Sequence, residues 1–390
     1  MNAGDVALRY VDHAAATPIL PEVVELVTEV MSTSVGNPSG SHRAARQARR
    51  WIEDARDELA AVVGCRPHEV IFCSGGTEAD ALAVQGLGLT MGDLGRDRGQ
   101  SGAALCGATE HPAILDRVLA DGGGIIAVDV DGRIDLDDLR EQSSNAPRVV
   151  SVMTVNHEVG TIAPLASIAE VVRSSAPLAV LHSDATQALR WLEMSDIWAS
   201  VDALTLSSHK FGGPEGVGAL VVRDGVDLRA VQLGGGQERE RRSGSHDVAG
   251  IVGMARAATL ANERRSETTE ICLALRDALE TGLAARVDDM AVLGGGADRV
   301  PGISMCALAG VESEALLFLL DAAGIAASAG SSCASGAQEP SHVLAAMRIE
   351  PRLGRGSIRF SFGRGNTMDD VSAILDVVPA AVRRLRELGS

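Results

Sequence analysis

Lys210 follows the apolar run Val201-Asp202-Ala203-Leu204-Thr205-Leu206 and the polar segment Ser207-Ser208-His209, and it precedes Phe211-Gly212-Gly213-Pro214, which must turn. An amine at the mouth of a strand is partly desolvated. Desolvation disfavours the charged form and makes the amine a nucleophile toward carbonyl carbon. Asp184 follows the apolar run Leu178-Ala179-Val180-Leu181. An aspartate after a strand also serves as a helix cap. Beside a reactive lysine, it matches the acid that keeps a heteroaromatic nitrogen protonated. The two together form the pair that a pyridoxal phosphate site needs.

Other polar residues fall at similar places. Gly75, Gly76 and Thr77 stand between an apolar segment and a helical stretch. Glycines there allow close backbone approach, and a helix start offers free N–H groups to a phosphate. Many strand-to-helix turns are glycine-rich without binding anything. His111 and Asn156 also end apolar runs, as a proton-exchanging imidazole and a turn-forming amide. Cys333 lies in Ala329-Gly330-Ser331-Ser332-Cys333-Ala334-Ser335-Gly336, a small, polar, glycine-flanked run. Such a run buries a side chain poorly, so its thiol is open to act as a nucleophile. Cys65, Cys73, Cys106, Cys272 and Cys306 sit in or beside apolar segments, where packing is the default.

The elements that must position these residues alternate through the first two thirds of the chain. Ala48, Ile52, Ala55, Leu59 and Val62 recur at helical spacing. The short apolar runs 69–73, 149–155, 178–182 and 202–206 read as strands covered on both faces. Strands separated by helices imply a mainly parallel sheet, the α/β class. Ligands then bind outside the carboxyl ends of the strands. Beyond about residue 258 a long helical stretch runs to about Asp289. Short strands, a helix from Glu312 to Ala323, a strand from Ser357 to Phe362 and a last helix from about Met368 follow. This predicts a large domain over 16–257 and a smaller α+β domain over 1–15 and 258–390. The smaller one carries the cysteine loop at about 326–340. The Gly- and charge-rich region 92–102 reads as a surface loop.

Composition bounds the function. Of 390 residues, 46% are hydrophobic and only 2% aromatic, so Ala, Val and Leu must fill the core. The net charge of −17 argues against general nucleic-acid or membrane-surface binding. Arg239, Arg241 and Arg242 form a local basic cluster that reads as a solvated loop. Six cysteines without a CxxC spacing signal neither a zinc site nor a disulfide framework. No secretory leader or membrane span is evident, and a cytoplasmic location is expected.

Taken together, the chain resembles the cysteine desulfurases of the NifS and IscS type. The resemblance rests on Tyr10-Val11-Asp12-His13-Ala14-Ala15-Ala16-Thr17-Pro18, Gly36-Asn37-Pro38-Ser39, Ser74-Gly75-Gly76-Thr77-Glu78, Thr109-Glu110-His111 and Asn156-His157-Glu158-Val159-Gly160. It continues through His182-Ser183-Asp184-Ala185-Thr186-Gln187, Ser208-His209-Lys210, Gly234-Gly235-Gly236-Gln237-Glu238, Arg242-Ser243-Gly244, Gly330-Ser331-Ser332-Cys333 and Ile358-Arg359-Phe360-Ser361. These segments are collinear over nearly the whole chain. The surroundings of Cys333 are similar to the long-loop group.

That resemblance implies a fold-type I pyridoxal 5'-phosphate enzyme, a homodimer, with a mainly parallel seven-stranded sheet flanked by helices. It implies Lys210 as the Schiff-base amine, Asp184 as partner of the ring nitrogen and Gln187 as donor to the ring phenolate. Gly76, Thr77, Ser207 and His209 would hold the phosphate, joined by Ser245 of the neighbouring subunit. His111 would stack on the ring. Arg359 would clamp the substrate carboxylate, helped by Asn37 and Asn156. Three departures stand out: His157 replaces a common asparagine, Ala79-Asp80-Ala81 replaces a more polar run, and Ser245 replaces threonine.

The implied activity takes sulfur from L-cysteine, leaves L-alanine, and carries the sulfur as a Cys333 persulfide to an acceptor or scaffold protein. Iron–sulfur cluster assembly, tRNA thiolation, DNA phosphorothioation and natural-product sulfur are the open destinations. No resident metal is expected, although Cys333 could ligate a nascent iron–sulfur cluster transiently. The alternatives are an aminotransferase or selenocysteine lyase of the same fold, or a non-catalytic sulfur-relay scaffold.

Overall fold

A computed structural model of the chain describes residues 8–88, 103–329 and 341–389. In chain order the strands are β1 (Arg9–Tyr10), β2 (Val70–Cys73), β3 (Ala104–Gly107), β4 (Gly124–Ile126), β5 (Val149–Ser151) and β6 (Val180–Asp184). They continue as β7 (Ala203–Ser207), β8 (Gly218–Val222), β9 (Met290–Leu293), β10 (Ile303–Leu308), β11 (Ile325–Ala326) and β12 (Ser357–Ser361). Seven of them form one sheet in the order β2-β8-β7-β6-β5-β3-β4. Within it β8 runs against both neighbours, and the other pairs are parallel.

Helices cover both faces, which is why these strands are continuous apolar runs. Alternate side chains serve opposite faces. Val70 and Phe72 of β2 join one core cluster, and Ile71 and Cys73 join another. Helix α1 (Pro21–Thr33), α2 (Arg43–Val63) and, later in the chain, Val248–Glu263 pack together. α3 (Gly76–Gly86) and α4 (Pro112–Ala120) pack on each other and on Ile71 and Leu220. The buried face of α2 includes Ala48, Ile52, Ala55, Leu59 and Val62, the residues whose spacing predicts it.

The C-terminal third builds a three-stranded antiparallel sheet, β12-β10-β9. β1 pairs with β11, and Asp12 bridges to Ser361, so the first described residues join this part of the chain. The long stretch expected to run to Asp289 is two helices, Val248–Glu263 and Arg265–Ala284. The chain leaves helical geometry at Arg264 (φ −98°, ψ 6°). The run expected at 178–182 is a strand shifted by two residues. Leu178 is 94% exposed, while Ser183 and Asp184 belong to the strand. The predicted surface loop at 92–102 and the cysteine loop, with Cys333, lie outside the described residues. Among the described residues no helix is long and apolar enough to cross a membrane.

Two of the three arginines of the basic cluster are tied down, while Arg239 is exposed as expected. Arg242 grips Glu78 with two hydrogen bonds (2.6 and 2.9 Å), and Arg241 donates to the His68 carbonyl (2.7 Å). Next to it Glu238, Arg239 and Glu240 take positive φ (48°, 57° and 65°). Each such non-glycine residue costs roughly 1–2 kcal/mol. The buried Glu238 carboxylate holds the segment. It accepts from Arg56 Nη1 (2.8 Å) and Nη2 (2.9 Å), Phe72 N (3.1 Å) and His246 Nε2 (2.7 Å). Burial alone would raise this carboxyl, but His246 and Arg56 outweigh it and hold it at about 2.

Arg56→Met should therefore destabilise the protein by about 3–5 kcal/mol at neutral pH, because it strands a buried charge. Denaturant unfolding checks this. The Glu238 pKa is depressed, so the tie contributes fully above the ordinary carboxylate value of about 4.3. That contribution disappears as pH falls toward about 2. The gap between parent and variant should narrow over that window.

Candidate active site

Five strand ends on one edge of the sheet deliver the polar residues. β2 leads to Gly76 and Thr77, β3 to His111, β5 to Met153 through Glu158, β6 to Asp184 and Gln187, and β7 to Ser207, His209 and Lys210. They surround a cavity of about 320 Å³, completed by Ala14, Ala15, Asp80, Thr186, His342 and Arg359. Gly75 takes φ 155° and ψ 179°, a conformation that side chains do not tolerate. It opens α3 at the cavity, and Gly76 packs so close to Ser207 that an added Cβ would meet the Ser207 Cβ at 3.2 Å.

Lys210 Nζ donates to the carbonyls of Ala14 and Ala15, both at 2.8 Å. Gln187 Nε2 donates to the same Ala14 carbonyl (2.8 Å). Burial, then the nearby Arg359 charge, pull the Lys210 pKa down to about 8, against the opposing pull of Asp184. A usable fraction of the amine is therefore uncharged near neutral pH, far more than for an ordinary lysine, as its sequence setting predicts. Burial and Lys210 together lower His209 to about 4. His209 Nδ1 lies 3.1 Å from Ser207 Oγ.

Asp80 and Asp184 line the cavity, and the buried Glu110 carboxyl interacts electrostatically with both. Asp184 accepts from Thr186 N (2.9 Å). Burial first, and Asp184 second, push Asp80 and Glu110 well above their ordinary values. Asp80 Oδ1 and Glu110 Oε2 are buried without a partner. Asp80 and Glu110 thus favour their protonated forms, and Asp184, whose negative charge raises both, lines the cavity. A cationic ring nitrogen fits there, because it answers a buried anion among neutral acids. A phosphate fits the glycine cradle and helix start. The residues present thus suit pyridoxal phosphate.

His111 caps α4, its Nδ1 accepting from Ala113 N (3.1 Å). His157 meets the His111 ring edge-on, centroids 5.5 Å apart. Burial first, then His111, lower His157 well below its usual value. Arg359 is 2% exposed. Its Nη1 donates to the His157 carbonyl and its Nη2 to Asp12, each at 2.8 Å, while Nε has no partner.

The structure does not bring every expected residue to the cavity. Asn156 does not line it. Its Oδ1 accepts from Glu158 N (2.9 Å) and Val159 N (3.0 Å), and its amide donates to Thr109 O (3.2 Å), so it shapes the turn that presents His157. Asn37 is exposed and does not line it, and Ser245, expected to serve the neighbouring subunit's site, is exposed as well. Cys333 lies outside the described residues. Asp80, Glu110, Glu158 and His342 are site residues that sequence reasoning did not assign. For His342 the available signal was weak: a Ser341 cap before an apolar Val343-Leu344 pair.

Removing the Arg359 charge should raise the Lys210 pKa. In cofactor-free protein, the rate of capture of pyridoxal phosphate should rise with pH around a midpoint of about 8. Arg359→Gln should move that midpoint upward, as read from the growth of the Schiff-base absorbance at each pH. An unmoved midpoint would show that burial alone sets the amine.

The family model for class-V aminotransferases matches residues 9–374. An IscS-like cysteine desulfurase of Mycobacterium tuberculosis is 42% identical over 97% of this chain and 97% of its own length. A solved NifS-like protein superposes with a TM-score of 0.87 at 29% identity, over 97% of this chain and all of that one. A structure of SspA in complex with cysteine gives a TM-score of 0.77 at 26% identity, over 92% of this chain and 100% of that one. The fold, the buried lysine facing an aspartate and these likenesses together place the chain in the class-V aminotransferase family, among the cysteine desulfurases.

Proposed function

We propose that this protein is a cysteine desulfurase that takes sulfur from L-cysteine, releases L-alanine and carries the sulfur as a persulfide on Cys333. The observation that carries the reading is the desolvated Lys210 amine beside Asp184 in a cavity walled by Arg359. Pyridoxal 5'-phosphate, when bound, supplies an electron sink for negative charge at the substrate α-carbon. Lys210 would hold its aldehyde, Asp184 its ring nitrogen and Gln187 its phenolate. Gly76, Thr77, Ser207 and His209 would hold the phosphate, with His111 on the ring face.

The protein's own groups do the remaining work. Lys210 Nζ, with a pKa of about 8, is matched to take the α-proton near neutral pH. Arg359 has a buried Nε–H without an acceptor, which a substrate carboxylate would satisfy. The described cysteines are poor nucleophiles. Burial drives Cys65 to about 12, Cys272 to about 11 and Cys306 to about 12, and raises Cys73 and Cys106 as well. Cys333 is thus the thiol left for sulfur capture. Ser328, five residues before it, exchanges backbone hydrogen bonds with Arg359 at the cavity wall (2.7 and 3.3 Å).

A homodimer is part of this reading. Pro38, Ser39, Gly236 and His246 line a second cavity of about 370 Å³, so the segments carrying Asn37 and Ser245 are neighbours. Nearby in sequence, Val35 and Leu233 leave large apolar side chains in water, at 86% and 83% exposure. A second copy over this face would cover them and bring Ser245 toward the partner's phosphate site. The division into units over 16–257 and over 1–15 with 258–390, a cytoplasmic location, and delivery of sulfur to an acceptor in iron–sulfur, tRNA or DNA chemistry complete the proposal.

Lys210→Ala should lose the borohydride-reducible link to the cofactor, and a link that persists would reassign the lysine. Cys333→Ser should still bind cofactor and L-cysteine but form no protein persulfide. Its alanine output with limiting reductant should fall by on the order of 10²-fold or more. Pyruvate made from alanine, in place of alanine from cysteine, would favour the aminotransferase alternative.

A further inference from the structure

Four imidazoles, those of His111, His157, His209 and His342, line the cavity, and the backbone dictates the tautomer of two of them, His111 and His342. Ala113 N–H donates to His111 Nδ1 (3.1 Å), so that nitrogen carries a lone pair and the ring proton sits on Nε2. A second proton on Nδ1 would break the cap of α4. His342 is arranged the other way. Its Nε2 lies 2.8 Å from the Glu110 carbonyl oxygen, which can only accept. In the neutral ring Nε2 is therefore the N–H, and Nδ1 carries the lone pair. Among the described residues nothing donates to that lone pair. One turn, residues 110 and 111, thus sets one imidazole as a proton donor and the other as a proton acceptor.

We propose that His342 is a catalytic residue of this site: its Nδ1 takes the proton of the substrate sulfhydryl, while His111 serves through Nε2 as a donor. This deepens the desulfurase reading and rests on it. In the step the S–H bond breaks, its electron pair stays on sulfur, and an N–H bond forms at His342 Nδ1. Nothing is oxidised or reduced, and the proton leaves to solvent when the site empties. The Glu110 carbonyl then faces a cationic ring and stabilises it, as an orienting acceptor does for other catalytic histidines.

Other charges around His342 bear on this step. His111, His157 and Glu158 all interact with it electrostatically. Lys210, Arg359 and Asp184 lie on the same cavity. Ser341, which caps the short helix beginning at His342, donates to Glu158 Oε2 (2.6 Å) and keeps that ring in place.

The test compares the cofactor-loaded parent with His342→Gln, whose amide can still donate to the Glu110 carbonyl but cannot take a proton. The variant should keep the cofactor absorbance and a KM for L-cysteine within about two-fold. Its rate of alanine formation should fall on the order of 10²-fold at pH 7. The deficit should shrink below about ten-fold near pH 9.5, where a sulfhydryl of ordinary pKa about 8.5 ionises unaided. An equal deficit at both pH values, or none, overturns the proposal. A parent that makes no alanine from cysteine defeats the desulfurase reading itself, which is a separate outcome. Should the variant not fold, nitrogen-15 spectra of histidine-labelled parent without substrate decide. A proton on Nε2 and none on Nδ1 of His342 is expected. A protonated Nδ1 on His342 or His111 would sink the assignment.

Discussion

The removal of water from one amine governs the rest of this architecture. Among the described residues Lys210 Nζ donates to two carbonyls, those of Ala14 and Ala15, which stand in for part of a hydration shell. Its affinity for a proton drops because burial penalises the ammonium form and Arg359 adds repulsion. Each structural layer around it serves that end. β7 ends at Ser207, three residues short of the amine. The segment from Asp12 to Thr17 folds over it and is pinned by Ser361 Oγ and by the His209 carbonyl. Arg359 is held by Asp12 and by the His157 carbonyl, so the repelling charge cannot drift away.

The same dryness arranges the acids and imidazoles. Three buried carboxyls cannot all ionise side by side. Asp80 and Glu110 are the ones pushed upward, with Asp184 acting on both. Beneath them Thr205, His182 and Ser151 form a buried hydrogen-bonded chain (3.1 and 2.9 Å) that leaves His182 neutral, at about 3 by burial. The polar floor is therefore rigid and uncharged except where a cofactor cation would sit. Glu110 also links two roles, since its side chain receives Met153 N and its carbonyl receives His342.

Much of the fold was legible because both-face burial leaves a plain mark. The runs ending at Cys73 and Leu206 are strands covered by helices, and each delivers a site residue just past its end. The reading failed where apolar composition and burial part ways. Leu178 sits in an apolar run yet faces water, and the strand instead includes Ser183 and Asp184. Hydrogen bonds to Val152 O and Thr154 compensate the buried Ser183 hydroxyl, and composition does not reveal such partners. The basic cluster misled for a similar reason. Two of its arginines find Glu78 and a backbone carbonyl far away in sequence.

What the sequence determined by itself was the chemistry carried by residue type at strand ends and turns: an amine, an acid, a glycine turn and a thiol in a small-residue run, with the arginine fork implied by the resemblance alone. These follow from local periodicity, which the chain states directly. Only the tertiary structure decided which polar atoms are paired and which are left open. It turned Asn156 inward to build a turn, left Asn37 exposed and out of the cavity lining, and brought in Asp80 and His342. It also fixed where the His342 proton lies, because Glu110 O approaches that ring from a segment 232 residues away, whereas the His111 tautomer is set locally by the cap of α4. Proton affinity depends on burial and on neighbours across space, and neither is a property of position along the chain.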